Sequence, residues 1–316
     1  MARARQSDWL HLTSSLRRAP HRRRPIVALE SAVLTHGLPA SERLSAVHQL
    51  EESVRRAGAA PAFIALLGGK ARVGLTRREL ETLAATPRVA KCTRADLGWL
   101  LAQKASAGTT VSATIFIAAQ AGIEVVATGG IGGVHRDAAA SFDVSADLVE
   151  LARTPVTLVA SGAKTIVDLR KTLEFLESAS VPVIGYQTQE FPGFLVRDTG
   201  LPLRAMARDL GELAAAVRAY RATGHRGAVL VANPIPAEAA LPPTSVEPLI
   251  AEALKRAAAH GVTGTALTPF LLEAINELSG GATLRANRAL LGSNAVLAGC
   301  LAVALARPRR RFPPAA

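Results

Sequence analysis

Glu30, Lys91 and Lys164 stand where acid–base and amine chemistry would need them. Glu30 follows the apolar run 25–29 (PIVAL), Lys91 lies in the short run 89–92, and Lys164 follows 156–161 after Gly162 and Ala163. A carboxyl group set against an apolar strand loses hydration, its pKa rises, and it can carry a proton to a reacting atom. A lysine flanked by small residues leaves room for a ligand at its amine, and a neutral amine attacks a carbonyl carbon. Each residue also has a plainer use, as a capping or solvated charge, and no one of them decides the matter alone.

The loop 129–136 (GGIGGVHR) follows another apolar run, closed by Thr128. It is not a dinucleotide fingerprint, because His135 stands where the third glycine belongs. Lys164 is not a P-loop lysine, because Ala163 separates it from Gly162. What remains is either a tight turn or a loop whose backbone N–H groups face a phosphate. Asp143 and Asp147 are four apart and share one face if helical. With Ser145 they suit a helix N-terminus, or a hard-cation site completed by water. No H-E-x-x-H or Cys/His cluster suggests zinc. Asn287 and Asn294 sit two turns apart on a long apolar run, so a helix would show both on one side. Buried there, they need polar partners from a ligand or a neighbouring helix.

The elements that must position these residues alternate. Strands are expected at 25–29, 62–67, 89–92, 124–128, 156–161, 181–185 and 227–232. Helices are expected at 41–57, 76–85, 94–104, 111–121, 145–152, 165–178, 248–260, 268–278 and 283–306. Thr76 with Glu79 three residues on is a capping box. Short buried strands between amphipathic helices predict an α/β fold with a mostly parallel sheet, and such sheets place ligands at the carboxyl ends of their strands. No Pro/Gly/Ser-rich linker divides the middle, so a single domain is expected.

Composition agrees. Of 316 residues, 49% are hydrophobic and 20% charged, which suits a folded α/β chain with a large core. The net charge of +12 sits in the ends. Residues 1–24 hold seven arginines against Asp8, and 307–316 hold four more, leaving 26 basic against 24 acidic residues between. We therefore expect a basic, disordered tail over 1–24, a catalytic domain over 25–306 and a basic tail over 307–316. Nucleic acid is not the expected partner of so neutral a body. Two cysteines, Cys92 and Cys300, are too few for a disulfide framework and suit a reducing cytoplasm. No secretory signal and no run long enough to span a membrane is evident.

Eight strings, read in order, resemble one family. They are VALES (27–31), THG (35–37), GGIGGVHR (129–136), FDVSADL (142–148), GAK (162–164), IGYQT (184–188), ANPIP (232–236) and TPFLL (268–272). Each is weak alone, but together, over about 24–305, they are similar to the pseudouridine-5′-phosphate glycosidase family, which includes indigoidine synthase A-like proteins. The resemblance implies a three-layer α/β/α fold and a homotrimer. It implies a reversible cleavage of the carbon–carbon bond of pseudouridine 5′-phosphate to uracil and ribose 5-phosphate through a lysine imine. By its strings, Glu30 matches a proton donor, Lys164 the nucleophile and Asp143 the ligand of a Mn²⁺ cofactor. Lys91, Val111, Ser145, Ala146 and Asp147 match substrate contacts, and His135 and Asn287 further pocket residues. The chain departs from the pattern at Ala32, at Asp137 and at Ser293, which precedes Asn294. Two rivals follow from the residues themselves: a lysine-imine aldolase on another phosphosugar, and a nucleic-acid binder working through its arginine tails.

Overall fold

Ile26–Glu30 is buried at every position, as a strand covered on both faces must be. It lies at the middle of a computed structural model that describes residues 8–17, 25–262, 264 and 267–306. The strands are β1 (Leu10–Leu12), β2 (Ile26–Glu30), β3 (Ala60–Leu67), β4 (Lys70–Val73), β5 (Ala90–Cys92), β6 (Ala107–Thr109), β7 (Val125–Ala127), β8 (Val134–His135), β9 (Thr157–Ala160), β10 (Val167–Asp168), β11 (Val183–Tyr186), β12 (Ala205–Ala207) and β13 (Val229–Ala232). Eleven form one sheet in the order β1-β4-β3-β2-β7-β9-β13-β11-β12, with β6 beside β3 and β5 beside β6. From β3 to β12 along that order every pair is parallel; β4 and β6 run antiparallel to β3. β8 and β10 make a separate antiparallel pair.

Alternate residues of the strands enter two different cores. Ala28, Ile64, Val126, Leu158 and Leu230 pack against Val111–Gln120, Ala146–Leu151, Leu169–Ser178 and Pro243–Ala259. Val27, Leu29, Phe63, Val125, Val159 and Val229 pack against Ala40–Arg56, Arg77–Ala85, Leu210–Ala222 and Ala282–Ala306. The period of two turns each strand into a wall between helical layers. The chain is therefore the expected three-layer α/β/α domain with a mostly parallel sheet.

Some expectations need correction. Within 1–24, expected to be a disordered arm, Leu10–Leu12 pairs with β4 in register Leu10↔Ala71, and Trp9 stacks on Phe116 at 6.3 Å between ring centres. Buried Leu10, Leu12 and Leu16 explain why this stretch folds back despite its basic surroundings. The tail 307–316 lies outside the described residues. The helix expected over 165–178 starts only at Leu169, because the Asp168 carboxylate accepts the Lys171 N–H at 3.0 Å and caps it there. The helix over 94–104 shortens to Leu97–Ala102. Ala282–Ala306 is long and apolar enough to cross a membrane, contrary to the sequence reading. Its most apolar window is 56% buried against the sheet and Ala40–Arg56, as befits a core helix.

Candidate active site

The sheet changes partner where Glu30 ends β2. β3 pairs with β2 as far as Glu30↔Ile64, and from Ala65 onward the same edge pairs with β6. Ser31 and Thr109 close the junction: both hydroxyls donate to Ile64 O at 2.6 Å, and Thr109 N–H donates to Ser31 Oγ at 2.9 Å. The handover brings β5 alongside, with Lys91 opposite Gly108. Glu30 and Lys91 thus reach one place from strands sixty residues apart. Glu30 is 8% exposed. Burial pushes its pKa up, against the charge of Lys164 and a hydrogen bond from the Thr128 hydroxyl, which hold it down. Burial pulls the Lys91 pKa down, and the like charge of Lys164 pulls it further.

Lys164 is set by two loops that hold each other. Ile131 N–H donates to Gly162 O at 3.0 Å, and Lys164 N–H donates to Ile131 O at 2.9 Å, so the glycine loop grips the backbone on both sides of Ala163. Gly162 has φ +65°, and a Cβ there would lie 1.7 Å from Pro192 O. Both facts demand glycine, for backbone conformation and for space. The glycine loop has its own constraint at Gly132, where a Cβ would meet Ser145 Oγ at 2.3 Å.

Asp147 is a buried connector. Its carboxylate accepts Ser112 N–H and Gly132 N–H, each at 2.9 Å. Those bonds tie the start of Val111–Gln120 to the glycine loop. Ser145 caps the next helix by accepting Asp147 N–H at 3.2 Å. Asp143 precedes that cap, so it does not share a helix face with Asp147. Instead β8 folds back on β10 and bridges to Val144, which sets His135 Nδ1 3.9 Å from Asp143 Oδ2. The Asp143 side chain keeps about a third of its surface exposed. Among the described residues, no three His, Cys, Asp or Glu side chains converge to hold a metal by themselves. A lone rim carboxylate fits a hard ion that keeps most of its water.

Glu30, Lys91, Lys164, Val111, Ser145, Ala146, Asp147, His135 and Asn287 all line one cavity at the carboxyl ends of the strands; Asp143 stands just behind His135. The cavity also takes in His36, whose pKa is lowered by burial and then by the Lys91 charge. Two polar residues that were not among the expected site residues hold the arrangement. Thr128 is one, and it carried the same signal as Glu30, a polar side chain closing an apolar strand. The other is Asn294, wholly buried and absent from the cavity wall. Its Nδ2 donates to Thr128 O at 2.8 Å and Gly129 O at 3.2 Å, and its Oδ1 accepts from Asn233 Nδ2 at 2.8 Å. Ser161 Oγ lies 3.1 Å from Nδ2 and 3.3 Å from Oδ1.

The sequence model of the family described as indigoidine synthase A like protein matches residues 15–304. The chain belongs to this family. Its similar members include proteins named pseudouridine-5′-phosphate glycosidase. The one from Symbiobacterium thermophilum is 49% identical over 94% of this chain and 97% of its own. The one from Paracoccus denitrificans is 50% identical over 90% and 94%. Among solved structures, the prealnumycin C-glycosynthase AlnA in complex with ribulose 5-phosphate superposes with a TM-score of 0.87, 40% identity, and 95% and 97% coverage. An indigoidine synthase A-like protein from Thermotoga maritima gives 0.86 at 35% identity, with 94% and 97% covered. Departures at Ala32, Asp137 and Ser293 leave Glu30, Lys91, Asp143 and Lys164 in place.

Proposed function

We propose that this chain is a pseudouridine-5′-phosphate glycosidase that interconverts pseudouridine 5′-phosphate and uracil plus ribose 5-phosphate, a lyase-type reaction that breaks a carbon–carbon bond. The observation that carries the reading is the meeting of Glu30, Lys91 and Lys164 in one cavity, in a chain about half identical to proteins of that name. AlnA, whose name is that of a C-glycosynthase and whose structure holds a phosphoketopentose, supports the same class of chemistry.

Two carboxylates suffice for a glycosidase when oxygen or nitrogen leaves. Here carbon leaves with the bonding pair, and C1′ needs an electron donor on the sugar to make up for it. Glu30, kept protonated to higher pH by burial, gives its proton to the ring oxygen as the ribose opens. The Lys164 amine adds to C1′. Uracil takes a proton at C5 and departs, the nitrogen lone pair forms the imine, and water hydrolyses it to ribose 5-phosphate. Lys91 supplies a positive charge for the phosphate. The glycine loop and the start of Val111–Gln120 frame the same cavity with backbone, and Asp147 keeps them in register. Asp143, with His135 beside it, would hold Mn²⁺, which supplies a Lewis-acid centre that orders substrate and water. A homotrimer working in the cytoplasm completes the proposal, and light scattering in solution tests the assembly.

Incubation with pseudouridine 5′-phosphate is the direct test. Free uracil with ribose 5-phosphate supports the reading. No uracil, together with aldol cleavage of a phosphosugar, would favour a lysine-imine aldolase instead.

A further inference from the structure

Strand ladders end where a parallel sheet opens to bind ligand, and the last carbonyls there need other partners. Thr128, Ser161 and Asn233 are the first residues beyond β7, β9 and β13. The rungs continue as far as Thr128 N–H to Val159 O at 3.0 Å and Asn233 N–H to Ala160 O at 2.9 Å. Past them one side chain, Asn294, bonds to all three strand ends. It is buried and does not line the cavity that holds Glu30 and Lys164, so it serves the site through its neighbours. Thr128 gives its hydroxyl hydrogen to Glu30. Ser161 begins the turn that carries Lys164, and its own N–H donates to Gly129 O at 2.8 Å.

We propose that Asn294 is a positioning residue that fixes the acid against the amine: it locks the ends of β7, β9 and β13, and so sets where Thr128 holds Glu30 and where the Ser161 turn delivers Lys164. This rests on the assignment of Glu30 and Lys164 above. An apolar residue of similar size would leave Thr128 O without its amide donor and let the two loops slide. A displacement of about an ångström at reacting groups costs on the order of a hundredfold in rate.

The test compares Asn294→Ala, Thr128→Val and the double variant with the native enzyme, by kcat, KM and the pH at which kcat falls on the alkaline side. The Thr128 hydrogen bond holds the Glu30 pKa down, so its loss moves that limb to higher pH. Asn294→Ala should lower kcat about a hundredfold with KM changed by no more than about threefold. It should move the limb the same way as Thr128→Val, and the double variant should move it no further. A folded Asn294→Ala protein with native kcat and native limb, altered only in melting temperature, overturns the proposal. If that variant does not fold, Asn233→Ala removes one arm and leaves Asn294 in place. A smaller shift in the same direction supports the proposal, and native kcat and limb overturn it. Borohydride trapping of the native enzyme with ribose 5-phosphate is run in parallel. A missing Lys164 adduct there would sink the imine reading, while the comparison of pH limbs would still report on Asn294, Thr128 and Glu30.

Discussion

Thr128 donates its hydroxyl hydrogen to Glu30 across the carboxyl ends of β7 and β2. That bond favours the ionised carboxylate, as does the nearby Lys164 charge, while burial favours the protonated acid and dominates. Burial thus raises the Glu30 pKa above the ordinary carboxylate range, the direction that the proposed role of general acid requires.

Replacing Glu30 with Gln keeps the shape and removes the proton. Loss of a general acid lowers kcat by about 10²–10⁴, read by uracil release. Stability should respond differently. The folded state holds this proton at pH values where the unfolded chain has lost it, so native stability falls as pH climbs through that window. Glu30→Gln should lack that fall. Urea midpoints at pH 8 should be equal to or above native, with no such gain at pH 4.

Lys91→Met should act on binding more than on turnover. A charge-assisted hydrogen bond contributes about 1.5–3 kcal/mol, so KM should rise roughly 10- to 100-fold with a smaller change in kcat. Burial and the Lys164 charge lower the Lys91 pKa, so the native enzyme should lose phosphate affinity at a lower pH than an ordinary lysine would allow. The variant's KM should lack that alkaline rise.

Gly162→Ala places a methyl group against Pro192 O in a left-handed backbone. Strain of this kind costs about 1–3 kcal/mol, and it falls on the turn that carries Lys164. A lower urea midpoint together with reduced kcat is expected. Native values for both would mean that the turn tolerates a Cβ.

A chelator should reduce turnover reversibly, with Mn²⁺ restoring it, because Asp143 offers a single rim carboxylate and weak, exchangeable binding follows. Asp143→Asn should raise the Mn²⁺ concentration needed for half activity. Full activity after exhaustive chelation would remove the metal from the scheme.

Much of this site was legible because a core strand has no use for a polar terminus. Glu30 and Thr128 stand out in that way, and the glycines before Lys164 mark a turn whose space is taken by backbone. Three-residue strands such as Leu10–Leu12 and Ala107–Thr109 carry too short a pattern to be read. The helix N-terminus read at Ser145 is there, and because Ser145 caps it, Asp143 lies outside the helix and does not share a face with Asp147. Asn294 shows where local pattern runs out: its partners Asn233 and Thr128 lie 61 and 166 residues away, and only the folded sheet brings them to one amide. The helix Ala282–Ala306 was legible over 283–306, but that its length and composition also suit a membrane span was not read from it.

The amine of Lys164 is the centre of the account, and reductive trapping addresses it most directly. The native enzyme is treated with ribose 5-phosphate and borohydride, digested, and its peptides weighed. A reduced pentose phosphate adduct is expected on the peptide that contains Lys164, absent from Lys164→Ala along with turnover. An unmodified Lys164 peptide from an enzyme that still releases uracil would contradict it.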